Sequence, residues 1–219
     1  MGRWARENEF NSLVRNAVDS VANIWGAWPG LDRDAAYAAL KAIVARESRF
    51  DPAATRGEPQ LTTVLGGDAS IGLTQVLYST ARGLGFPGPV GDRVTLTGLY
   101  APATNLFIGA KVLWKMLQHT GGDLDAAFSA YNGGYRPDLG FGAKRTATTP
   151  RVCLMWKVDA PKTGRILARD CAVVGSTTAG MFSNQTYVST TRDYYNYFFA
   201  MSPGNKSPAR EAGKPDPTG

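Results

Sequence analysis

With 219 residues, 43% of them hydrophobic, the chain can bury a sizeable core and suits one domain with room for an inserted subdomain. One histidine and two cysteines are too few for a transition-metal site of ordinary ligand count. The net charge of +6 favours polyanions, but no nucleic-acid fold motif and no cluster of Lys and Arg singles out nucleic acid; anionic wall polymers or membrane surfaces suit it as well.

Residues 1–18 carry no apolar run of leader length, and no stretch reaches the length that spans a bilayer. Export by another route, a removed leader, or delivery by a phage particle or lysis system is therefore expected. Phe10, Leu13, Val14, Ala17, Val18, Val21, Ile24 and Trp28 recur at three- and four-residue steps, which predicts an amphipathic helix over 6–27. Its opposite face mixes acids with Arg, so this first unit (1–30) is expected to pack on the domain rather than on a membrane. Pro29-Gly30 ends it, and Asp32 reads as the N-cap of the next helix.

That next helix carries the most informative residue. Tyr37, Leu40, Ile43 and Val44 lie on one helical stripe, and the next position on it is Glu47, a carboxylate where the pattern calls for an apolar side chain. Asp51-Pro52 ends the helix within a turn of it. Burial and the negative end of the helix dipole both disfavour the ionised form there, as a general acid requires; Arg46 and Arg49 should point elsewhere. A buried glutamate satisfied by a nearby amide would give the same pattern.

Residues 55–70 form a turn-rich connection of the length often used for binding walls. It holds two further acids, Glu58 and Asp68, read as ordinary solvated loop residues or as a second carboxylate. Gly72-Leu73-Thr74-Gln75 is expected to open a short helix to about Val76 or Leu77, with Ser79 capping another through Gly83. Gly72 permits a close backbone approach to a ligand and Gln75 can donate and accept; a helix-start glycine and a surface glutamine are the alternative.

A helix is expected from Asn105 to about His119, with Leu106, Ala110, Leu113, Trp114 and Leu117 inward. His119, in its last turn, reads as a structural residue suited to the dipole. Asp123 should cap a helix whose inward face is Leu124, Ala127, Phe128 and Tyr131, with Tyr131 and Asn132 at its end before Gly133-Gly134. On spacing alone, Tyr131 is core.

RVCLMWKV, a turn APKTG and RILARDCAVV read as a β-hairpin near 150–175. Cys153 and Cys171 each lie nine residues from Lys162, so they should face each other at disulfide distance. Such a bridge would add about 3 kcal/mol; two free thiols are the alternative. Tyr187, Val188, Thr191, Tyr194, Tyr195, Phe198 and Phe199 give a closing helix, and 202–219 lacks the apolar content to fold.

Four short motifs occur in an order that is specific even though each alone is weak: Glu47-Ser48 with Phe50, Pro52 and Ala54; Gly72-Leu73-Thr74-Gln75; Ala130-Tyr131-Asn132 with Gly134; and Tyr187-Val188. In this the chain resembles the soluble lytic transglycosylases (SLT domains) of the lysozyme-like superfamily, related to goose-type lysozymes, over about 35–135 and 183–200. The resemblance implies a mainly α (α+β) lysozyme-like domain over 31–201; the 150–175 hairpin read above is an insertion that departs from the usual compact family pattern. It implies peptidoglycan as substrate, Glu47 as catalytic acid and base, and Ser70, Gly72, Gln75, Tyr131, Asn132 and Tyr187 around the sugars, with Tyr187 beside Glu47. No cofactor or metal is implied. The expected setting is the cell wall, periplasm or extracellular space, the partners peptidoglycan glycan strands, and the state a monomer or part of a larger envelope or virion assembly.

Two departures stand out. Thr74 replaces a frequent methionine on the expected cleft wall, and Ser183-Asn184 replaces the family's Glu-Thr before the late tyrosine. A goose-type hydrolase using Glu58 or Asp68 to position water, and a non-catalytic wall-binding or virion module, are the other readings.

Overall fold

A computed structural model describes residues 4–58, 68–84, 95–149 and 178–202. The proposed hairpin, with Cys153 and Cys171, and the tail from 203 lie outside the described residues. In chain order the elements are α1 (Asn11–Trp25), α2 (Arg33–Glu47), β1 (Thr55–Glu58), β2 (Asp68–Ile71), β3 (Val76–Leu77), α3 (Tyr78–Gly83), α4 (Pro102–His119), α5 (Leu124–Gly133) and α6 (Gln185–Ala200). The described residues are thus mostly helical with one small antiparallel sheet, ordered β1-β2-β3.

The centre is α2. Every residue from Ala35 to Ala45 is buried, so the helix is enclosed on all sides, more fully than a single apolar stripe predicts. Its composition explains this: alanines at 35, 36, 38, 39, 42 and 45 let neighbouring helices approach closely. Helix α6 runs along it, α1 packs on α2 and α4, and α4 packs on α5. Asp32 caps α2 as expected, accepting from the Ala35 amide at 2.7 Å, and Asp123 caps α5 through the Ala126 amide at 3.0 Å. Each such cap contributes about 1 kcal/mol.

Several expected boundaries move. Helix α1 begins at Asn11, not residue 6, because residues 4–10 form turns; Glu7 is buried among them, accepting from the Trp4 amide and the Tyr197 hydroxyl. Ile24, expected inward, is exposed, since the chain turns away at Gly26 one residue past the helix. Helix α4 begins at Pro102, whose fixed φ suits a first helical turn, so Asn105 lies inside the helix.

The largest revision concerns 55–77. The ends of the connection pair as strands, with Thr55 opposite Ile71 and Glu58 opposite Asp68. Residues 72–75 make a turn, not a helix, and Val76-Leu77 returns as β3, with Ser70 opposite Leu77. The turn needs left-handed backbone at Gly72 (φ 74°) and Gln75 (φ 46°), which no helix accommodates. Helix α3 is capped from outside: the Ser79 amide and hydroxyl both donate to Asp68, so Asp68 and not Ser79 is the cap. No helix among the described residues is long and apolar enough to cross a membrane.

Candidate active site

Glu47 is the last residue of α2, half-buried where the enclosed helix reaches an open face. The helix stops because Ser48 takes a non-helical conformation while its amide still bonds the Val44 carbonyl, and Arg49 and Phe50 are left-handed (φ 54° and 67°). Two such non-glycine residues cost about 1–2 kcal/mol each. Full burial of Phe50 against Trp4 and Phe198 offsets this, since burying a phenylalanine gains roughly 1.5–3 kcal/mol. Phe50 therefore anchors the turn and Glu47 is left at the helix rim.

Tyr187, in the first turn of α6, donates its hydroxyl to Glu47 Oε1 at 2.6 Å. Burial first, and the neighbouring Glu47 charge second, hold the Tyr187 hydroxyl well above the ordinary phenol range, so it stays a donor. Burial and then the Glu47 charge likewise raise Tyr131. Arg46 does not point clear of the site as expected: its guanidinium lies over the Tyr187 ring, 5.1 Å from the centroid. Glu47 and Tyr187, 140 positions apart in the chain, thus meet.

The second wall is the 72–75 turn. Asn105, wholly inside α4, holds it: its Oδ1 accepts from the Thr74 amide and hydroxyl at 2.8 Å each, and its Nδ2 donates to the Ile71 and Leu99 carbonyls. Gly72 is required by this side chain, because an added Cβ would lie 2.4 Å from Asn105 Nδ2. Its close approach is therefore to the protein's own asparagine. Thr74 corrects a second expectation: it is fully buried against Gly109 and does not form cleft wall. What it offers is its carbonyl, which accepts from the Tyr131 hydroxyl at 3.0 Å. Gln75 is half-buried, with Nε2 donating to the Ala54 and Gly72 carbonyls at 2.9 Å each. Ser70 is buried on β2 beside this turn.

The end of α5 carries two further motif residues. Asn132 is exposed and adjoins Tyr131. Ser183-Asn184, where the family has Glu-Thr, forms a working junction: Asn184 bonds Ser129 and Asn132, and the Ser183 hydroxyl donates to the Leu139 carbonyl. Neither bond set was legible in the sequence, because the partners lie 44 to 55 residues away and an asparagine before a helix reads as a local cap.

Asp68 is buried, not solvated, and its carboxylate accepts from the Ala69 amide and from the Ser79 amide and hydroxyl. Glu58 closes β1 opposite it. His119 is exposed and stacks on Tyr135, with centroids 4.9 Å apart.

The candidate site is thus a half-buried carboxylate bonded by the buried Tyr187, with the 72–75 turn and the exposed Asn132 as its other motif residues. A family model described as "Transglycosylase SLT domain" matches residues 30–148, more than half of the chain, and the chain belongs to that family. Membership brings lytic transglycosylase-type cleavage of peptidoglycan, and with it action on the cell wall. No curated protein matches the chain. No solved structure matches it either.

Proposed function

We propose that the chain cuts the β-1,4 bond from MurNAc to GlcNAc with Glu47 as its one general acid and base, leaving a 1,6-anhydroMurNAc end. The observation that carries this is the 2.6 Å bond from the Tyr187 hydroxyl to Glu47 Oε1 at the open end of the most enclosed helix. It fixes the rotamer of a carboxyl group whose half-buried position lets a substrate oxygen reach it, and positioning of this kind contributes much of acid–base catalysis.

Substrate-assisted cleavage needs one enzyme carboxyl group. Glu47 gives its proton to the glycosidic oxygen as the bond to MurNAc C1 breaks. The acetamido carbonyl oxygen of the same MurNAc attacks C1 and holds the positive charge as an oxazolinium ion. Glu47, now a carboxylate, takes the proton of the C6 hydroxyl. O6 then attacks C1, the acetamido oxygen leaves, and the carboxyl group is again protonated. No water is consumed, so the product is one water lighter than a hydrolysis product. Gln75, Tyr131, Asn132 and the backbone of Ser70–Gly72 hold the N-acetyl sugars in this scheme, and the domain over 31–201 is the catalytic unit.

The three bonds that Asp68 accepts from Ser79 and Ala69 favour Glu47 over Asp68 as the chemical acid, since a carboxylate so used within the fold has little left for a water. The test is mass spectrometry of muropeptides released from purified peptidoglycan. Anhydro products are expected. Reducing-end products of full mass would assign a goose-type hydrolase instead, and no products would leave a wall-binding or virion module.

A further inference from the structure

The donors and acceptors behind Asn132 fix which way its amide faces. The Gly142 amide donates to the Ser129 hydroxyl oxygen at 3.2 Å, which leaves the Ser129 hydroxyl proton for Asn184 Oδ1, 2.7 Å away. The Ser129 carbonyl can only accept, so Asn184 Nδ2 faces it at 3.0 Å. The other Nδ2 hydrogen of Asn184 then reaches Asn132 Oδ1 at 3.0 Å. Each step follows from a group whose polarity cannot be reversed, a backbone amide at one end and a backbone carbonyl beside it. Asn132 therefore turns its oxygen inward and its NH2 outward, on an exposed residue, and no acceptor among the described residues takes either hydrogen.

We infer that Asn184 is a positioning residue that makes Asn132 a donor-only reader, selecting sugars that bring an acetamido carbonyl to this point. An asparagine free to flip accepts a hydroxyl as readily as it donates to a carbonyl. One locked by a buried partner does not, and a ligand lacking the matching acceptor leaves the amide unpaired. Asn184 is 5% exposed, and of the two residues its side chain bonds, Ser129 is buried and Asn132 exposed, so it acts on a ligand through Asn132. The inference rests on the glycan-cleaving reading of the site.

The experiment compares binding of chitotetraose and cellotetraose, which differ in acetamido against hydroxyl groups, to full-length protein carrying Glu47→Gln so that turnover does not intrude. The background variant should prefer chitotetraose. Adding Asn184→Ala should lower that preference about fivefold, the value of one hydrogen bond. Adding Asn132→Asp instead, which keeps the bond from Asn184 but replaces the outward NH2 by oxygen, should lower it as much, and it decides the matter should Asn184→Ala fail to fold. A merely structural Asn184 would change the melting temperature and weaken both tetramers alike. A folded Asn184→Ala protein that keeps its preference, or an Asn132→Asp protein that does, overturns the inference while wild type still releases products from peptidoglycan. Wild type releasing no product, with neither tetramer bound by the background variant, overturns the glycan reading and this inference with it.

Discussion

Glu47 and Asp68 are both acids on the motif-bearing stretch from α2 to the 72–75 turn, and the fold treats them oppositely. Asp68 sits inside the β2–α3 corner and accepts from two amides and a hydroxyl, so its charge is absorbed by the fold. Glu47 stands at the rim of α2, half-buried, with a tyrosine hydroxyl on one oxygen. A carboxylate held by three donors of its own corner serves that corner; one half-buried at a helix rim stays within reach of a ligand. The contrast separates a structural acid from a chemical one without reference to sequence position.

The largest effect that would sharpen the comparison is on rate. Glu47→Gln should cut product release by about a thousandfold, in the range general acid–base groups contribute, with a melting temperature close to wild type. Asp68→Asn should do the reverse. It should cost about 2 kcal/mol in denaturant unfolding, because charge-assisted bonds to Ser79 and Ala69 weaken, while the rate per folded molecule stays within a few-fold.

Next in size is Tyr187→Phe. Loss of its hydroxyl should lower the rate about tenfold, the equivalent of one bond to a charged group, while the ring keeps its place under Arg46. A rate unchanged by that substitution would mean that Glu47 is oriented by something other than Tyr187.

The smallest predicted effect lies on the far side of α2. Lys41 is buried beside the Phe198 ring with its ammonium on Asn11 Oδ1, and burial above all lowers its pKa to about 8 against Glu7, which opposes the shift. The folded state therefore binds this proton less tightly than the unfolded chain, where an ordinary lysine titrates near 10.4. Stability should rise as pH climbs through 8, by about 1 kcal/mol between pH 7 and 9. Lys41→Met should abolish the rise and be the more stable protein at pH 7. A flat wild-type profile by thermal or denaturant unfolding would remove the argument for a buried, strained ammonium.

The legible part of this molecule is the part whose cause is local. Glu47 interrupts an apolar stripe, Asp32 and Asp123 precede helices they cap, and Gly133 ends α5 as its neighbours require. The illegible part depends on partners far along the chain. The turn at 72–75 looks helical until β2 claims Leu77, and Asp68 looks solvated until Ser79 comes back to it eleven residues later. Gly72 reads as a gap for a ligand, yet the space is filled by Asn105, 33 residues on. The Asn184 junction has no local sequence signal, since every side-chain bond it makes crosses from the start of α6 to α5.

The most direct measurement is a parallel digest of purified peptidoglycan by wild type, Glu47→Gln and Asp68→Asn at equal folded concentration, read by mass spectrometry. Anhydro muropeptides from wild type and Asp68→Asn, and none from Glu47→Gln, are the predicted result. Product release by Glu47→Gln at the wild-type rate, or its loss in a folded Asp68→Asn protein, would contradict a single catalytic carboxylate at the end of α2.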